Sequence, residues 1–184
     1  AKLTAPGIPD IYQGSEVLDL SLVDPDNRRP IDFATLEAWL DETTDLPDFN
    51  GSDTDGRIKQ QMIARVLNAR AQHPELFLAG DYVPLSISGP LASYHAAYLR
   101  VLGGQVALIV LTRLPLTRAV LSGVSDTVID LGEGSGVFRH VLTGKSFHAE
   151  RKVPLQAVLG NLPVAMAVRI ERDDQSASGQ TESC

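Results

Sequence analysis

Only one cysteine, Cys184, occurs in the 184 residues, so no intrachain disulfide can form and stability has to come from packing. That usage fits a reducing compartment, and a cytoplasmic setting is expected. No apolar stretch reaches the about 18 residues that a spanning helix needs, and no signal-peptide pattern opens the chain. Basic residues are outnumbered, 16 Lys and Arg against 23 Asp and Glu. The resulting net charge of −7 argues against nucleic acid or an anionic membrane as a partner. Aromatic residues make up 5%, little material for an exposed sugar-stacking platform.

Recognisable metal and cofactor patterns are also missing. His73, His95, His140 and His148 lack metal-ligand spacing. Asp48, Asn50, Ser52 and Asp53 have neither the glycine nor the closing glutamate of an EF-hand, so helix capping is the reading preferred for them. Gly132, Gly134 and Gly136 miss the dinucleotide pattern and precede a strand, which reads as a hairpin turn. Ser15 follows Gly14 but lacks the second glycine of a nucleophile elbow. No cofactor and no metal is expected.

What is present is the makeup of a globular chain, 43% hydrophobic and 21% charged. The first residues, AKLTAPG, read as the last turn of a helix, which suggests a C-terminal piece of a longer protein. The stretch PGIPDIYQGSEVLDLSLVDPDNRRP then reads as an isolated strand ending in a glycine and a carboxylate, followed by a polar loop. A barrel strand delivers side chains to an active-site mouth in that way. Phe33, Leu36, Trp39 and Leu40 share one face of a helix over 32–43, with Asp32 as its N-cap. Residues 45–55 form a loop. The helix over 57–72 carries the stripe Ile58, Met62, Val66 and Ala69, widened by Ile63 and Leu67, with Lys59, Gln60, Arg65, Asn68 and Arg70 on its polar side. Pro74 ends it.

From Asp81 the period becomes strand-like. Strands are expected over 82–88, 92–102, 105–114, 127–131, 137–142, 146–150 and 164–172, with a helical or looped excursion at 154–161. Short strands at regular spacing suggest an antiparallel β-sandwich. Residues 106–111 are apolar on both alternating faces, so that strand belongs in the middle of a covered sheet. The composition of 173–184 predicts disorder.

PGIPDIYQGSE resembles the eighth-strand segment of the α-amylase superfamily, a Gly-x-Pro-x-x-Tyr-x-Gly-x-Glu pattern met by Gly7, Pro9, Tyr12, Gly14 and Glu16. With SLVDPDNRRPID after it, and RIKQQMIARVLNARAQHPELFLAGDYVPL, ASYHAAYLR and NLPVAMAV further on, the chain is similar to the maltooligosyl trehalose synthase family over roughly residues 1–171. The resemblance implies an α+β chain: the last βα unit of a (β/α)8 barrel over 1–79, a β-sandwich over 80–172 and a tail over 173–184. It implies an intramolecular transglucosylase that converts the reducing end of a maltooligosaccharide into a trehalose unit. The catalytic carboxylates of that superfamily lie on earlier barrel strands, so no catalytic residue is expected here, and the piece alone should be inactive. Its partners would be the maltooligosaccharide and the rest of the barrel.

The candidate substrate-binding residues are Tyr12, Gln13, Glu16, Asp24, Asp26, Asn27, Arg28 and Arg29. Tyr12 can stack on a sugar ring, or equally pack in a core. An arginine fork suits sugar hydroxyls or a carboxylate; beside Asp24 and Asp26, one of Arg28 and Arg29 is expected to brace the loop and the other to face the sugar. Two alternatives stay open: another glucanotransferase or hydrolase of the superfamily, or a noncatalytic carbohydrate-binding or scaffolding module.

Overall fold

The computed structural model describes residues 1–19, 30–41, 55–113 and 126–170. Helix α1 (Phe33–Asp41) starts where Asp32 accepts from the Thr35 amide at 3.1 Å and its hydroxyl at 2.7 Å. Those bonds, the hydroxyl's foremost, hold the Asp32 carboxyl below its ordinary range. Helix α2 (Arg57–Gln72) occupies the span its period predicts, and α3 (Pro74–Leu78) begins at the proline that stops it. Of the expected stripe on α2, Ile58, Val66 and Ala69 are buried while Leu67 is exposed. Gln60, expected on the polar side, is buried because its amide donates to Leu36 O at 2.9 Å and ties α2 to α1.

Eight strands follow: β1 (Asp81–Ser88), β2 (His95–Leu102), β3 (Gln105–Thr112), β4 (Val128–Asp130), β5 (Gly136–His140), β6 (Ser146–Ala149), β7 (Lys152–Pro154) and β8 (Val164–Arg169). A 3-10 turn (Ala92–Tyr94) precedes β2, and α4 (Leu155–Leu159) sits between β7 and β8. They make one antiparallel sheet in the order β6-β5-β8-β3-β2-β1-β4-β7, rather than the two facing sheets expected. β1 turns the corner: its first half, Asp81 to Leu85, pairs with β2, and Ser86 to Ser88 pair with β4. The outermost strands, β6 and β7, are separated in sequence by only Glu150 and Arg151. At no more than about 3.8 Å per Cα step the two edges lie close together, so the sheet curls almost shut.

β3 lies at the centre, as its two-sided apolar pattern predicts. Val106, Leu108 and Val110 enter the core enclosed by the curled sheet, with Ile129, Phe138, Val153 and Leu155. Ala107 and Ile109 face outward and are covered by Val66 and Ala69 of α2 and Leu76 and Phe77 of α3. The helices are thus the lid of the sheet's outer face.

The strand expected in the N-terminal segment is also corrected. Residues 1–19 form turns and loop, and no strand occurs among the described residues before Asp81. A barrel strand is held by hydrogen bonds to neighbours on both sides, and among the described residues none lies beside Ile11, Tyr12 or Val17. The opening residues keep one turn of helical bonding, Thr4 N and Ala5 N both donating to Ala1 O at 2.9 Å. The expected strand end at 114, the loop over 45–54 with Asp48, Asn50, Ser52 and Asp53, and the tail 173–184 lie outside the described residues.

The hairpin between β5 and β6 is locked by His140. Its Nδ1 accepts from Leu142 N at 3.1 Å and Thr143 N at 3.3 Å, so the neutral ring carries its proton on Nε2. Burial pushes its pKa down to about 4, against a smaller opposing pull from the Val158 backbone. Protonation is therefore easier in the unfolded chain, and stability is fully present above the ordinary histidine value and lost as pH falls through about 4. We expect unfolding free energy, measured by urea denaturation between pH 7 and 4, to fall with decreasing pH, and His140→Gln to flatten that slope. An equal slope in the variant would contradict the assignment.

Candidate functional site

The predicted rim lies on the N-terminal segment, and that segment is held by a buried cation. Arg100 on β2 is only 1% exposed. It donates to Thr4 O at 3.2 Å, to Phe77 O at 3.1 Å and to Gly80 O at 2.7 Å. Among the described residues it has no carboxylate partner; carbonyl dipoles at the C-terminal end of α3 take that part, where the negative end of a helix favours a cation. Thr4 is fixed a second time, by a 2.6 Å hydrogen bond between its hydroxyl and that of Tyr98. Burial pushes the Tyr98 phenol up, so it stays neutral at physiological pH. Arg70 of α2, lying over the Phe77 ring at 5.1 Å, donates to Leu3 O at 2.8 Å.

Farther along, the segment turns at 12–15, with Ser15 N and Oγ both donating to Tyr12 O, at 2.9 and 2.6 Å. Gly14 takes φ 80°, which a side chain would resist. This turn brings three of the candidates together: Tyr12 and Gln13 are exposed and Glu16 is half-buried. Tyr12 is therefore not a core residue, at 55% exposure. Asp24, Asp26, Asn27, Arg28 and Arg29 lie outside the described residues.

Beneath the turn runs an apolar groove of about 540 Å3. Its walls are residues 1–4, Ile11 and Ser15 on one side, Ile58, Met62 and Val66 of α2 on another, and Ile109 and Met166 of the sheet as floor. Tyr12, Gln13 and Glu16 are not on its lining. Among the described residues no three of His, Cys, Asp and Glu gather as a metal site, and no helix is long and apolar enough to cross a membrane.

The sequence reading missed Arg100, Thr4 and Tyr98. The available signal was an arginine inside HAAYLRVL, a strand next to one apolar on both faces. A charge there has to be buried, and so has to have partners.

No family model matches the chain. Two curated relatives, both named putative maltooligosyl trehalose synthase from Mycobacterium tuberculosis strains, are 39% identical over 167 residues. That match takes in 91% of this chain and 19% of each relative. A solved structure of maltooligosyltrehalose synthase from Arthrobacter ramosus superposes with a TM-score of 0.73 at 40% identity, over 92% of this chain. A mutant of that enzyme gives 0.74. Over this length the chain is a homologue of maltooligosyl trehalose synthase. It spans about a fifth of the length of the synthases it matches, 19% and 21% respectively. The likeness covers the antiparallel sheet together with the helices, since a match over nine tenths of the chain cannot leave either out.

Across the groove's end, α2 begins at a glycine for a steric reason. Gly56 has φ 89°, and a Cβ there would stand 2.3 Å from Leu18 N and 2.9 Å from Val17 backbone atoms. Lys59 Nζ donates to Val17 O at 2.8 Å beside it. The left-handed conformation alone costs an alanine about 1–2 kcal/mol. We expect Gly56→Ala to lower the unfolding free energy by at least about 1 kcal/mol in denaturant titration; unchanged stability would contradict the close approach.

Proposed function

We propose that this chain is the C-terminal part of a (1→4)-α-D-glucan 1-α-D-glucosylmutase, an enzyme of trehalose biosynthesis that acts on maltooligosaccharides. The observation that carries the reading is the joint match in sequence and fold, 39–40% identity with TM-scores of 0.73 and 0.74. The whole enzyme would open the terminal α-1,4 bond at the reducing end and re-form it within the same molecule as α,α-1,1. Keeping the α configuration calls for two displacements and a pair of carboxyl groups about 5 Å apart. Those groups belong to sequence preceding Ala1 in this reading, so the chain supplies substrate contacts rather than bond breaking.

In that enzyme, residues 1–79 complete the catalytic barrel and 80–172 form the appended β domain. Residues 1–19, loose turns here, would gain strand neighbours once the other barrel strands lie beside them. Tyr12 offers a ring face to a glucose unit; Gln13 and Glu16 offer hydrogen bonds to hydroxyls. Asp24, Asp26, Asn27, Arg28 and Arg29 would continue the same rim. The apolar groove, and the exposed Ile8, Leu18, Phe33 and Leu40, are where the rest of the barrel would pack. A reducing, cytoplasmic setting suits the single Cys184.

The test is product analysis with maltopentaose. The isolated chain is expected to leave reducing ends unchanged, and the full-length enzyme to yield a trehalose-ended product. Conversion by the chain alone would overturn the assignment of the catalytic groups to the preceding sequence. New α-1,4 chains or free glucose from the full-length enzyme would overturn the reaction assigned.

A further inference from the structure

A second groove, about 610 Å3, opens between α2 and the β5–β8 side of the sheet and shares no lining residue with the apolar one. Arg65 of α2, Arg139 of β5 and Arg169 of β8 line it, with the amides of Asn68, Gln72 and Gln105 among them. Among the described residues no aspartate or glutamate is on the lining. The elements themselves are one-signed: α2, β5 and β8 together contain no carboxylate, in a chain of net charge −7. Guanidinium groups from three separate elements thus share a concave surface to which the described residues contribute no carboxylate, and such a surface focuses a positive potential.

Two of the three are fixed in place. Arg65 donates to Leu142 O, and Arg169 to Gly104 O and, at 3.4 Å, to Ser135 O. Arg139 is exposed on its strand, whose pairing with β6 and β8 uses the backbone. A guanidinium fork matches the paired oxygens of a phosphoryl group, and carboxamides both give and accept hydrogen bonds with hydroxyls. The volume lies within the roughly 300–1,000 Å3 usual for small-molecule sites.

We propose that this groove binds the phosphoryl group of a small phosphate monoester of the sugar-phosphate class, at a site separate from the maltooligosaccharide rim. The arginines take the phosphate and the amides the hydroxyls. It does not depend on the reading of the chain as part of a glucosylmutase.

The experiment is calorimetric titration of the 184-residue chain with glucose 6-phosphate, inorganic phosphate and glucose at low salt. Saturable binding of both phosphates, weakening as salt is raised, and none of glucose is expected. Arg139→Glu should weaken phosphate binding at least tenfold, and Arg139→Lys should retain part of it. Both variants should unfold at the wild-type temperature, because the side chain is exposed. Phosphates binding no better than glucose, or equally well to Arg139→Glu, would overturn the proposal. So would phosphate binding that appears only after deletion of residues 171–184, which would assign the groove to the acidic segment carrying Glu171, Asp173 and Asp174.

Discussion

A guanidinium buried with no counter-ion among the described residues holds the two halves of this molecule together. Taking a charge out of water costs several kcal/mol even after relaxation, and Arg100 recovers that cost from carbonyls rather than from a carboxylate. Its three acceptors belong to Thr4, Phe77 and Gly80, so one side chain on β2 joins the N-terminal segment, the end of α3 and the start of β1. Tyr12, Gln13 and Glu16 follow that joint along the chain. Without it, the turn bearing Tyr12, Gln13 and Glu16 would be tied to the rest mainly through Arg70, Lys59 and the Tyr98 hydroxyl.

Helix α2 has a double task. Along one side Ile58, Met62 and Val66 are spaced by four residues and wall the apolar groove. Arg65, Asn68 and Gln72, at spacings of three and four on the neighbouring side, wall the basic one. Between the two faces Val66 and Ala69 cover Ile109 of β3. One helix therefore seals the sheet and shapes both concave surfaces, and its lack of carboxylates makes the second surface cationic.

Strong periodic signals carried far in the sequence. The limits of α2 follow from its 3.6-residue stripe and from Pro74, and the two-sided burial of β3 from six consecutive apolar residues. Most strands were placed within a few residues, because Gly103-Gly104 and Gly144 mark the turns. What escaped depends on distant partners. β7 is three residues long and exists because β4 pairs with it; nothing local in Lys152, Val153 and Pro154 announces it. The curl of a single sheet, against two facing sheets, rests on β1 changing partners at Ser86. The strand expected over the rim segment failed for the same reason in reverse: its apolar pattern is suited to a ladder, and no neighbouring strand is present among the described residues. At the candidate rim, the motif puts Tyr12, Gln13 and Glu16 within five residues and the structure puts them on one turn, whereas the clamp beneath that turn was not legible, since Thr4 and Arg100 lie 96 residues apart.

The role given to Arg100 is tested most directly by amide hydrogen exchange, comparing the wild-type chain with Arg100→Met, which keeps most of the stem volume and removes the charge and donors. Protection of residues 1–7 and 74–80 is expected to be lost together while β3 and β8 keep theirs. Undiminished protection of residues 1–7 in the variant would show that the segment is held by something other than this buried cation.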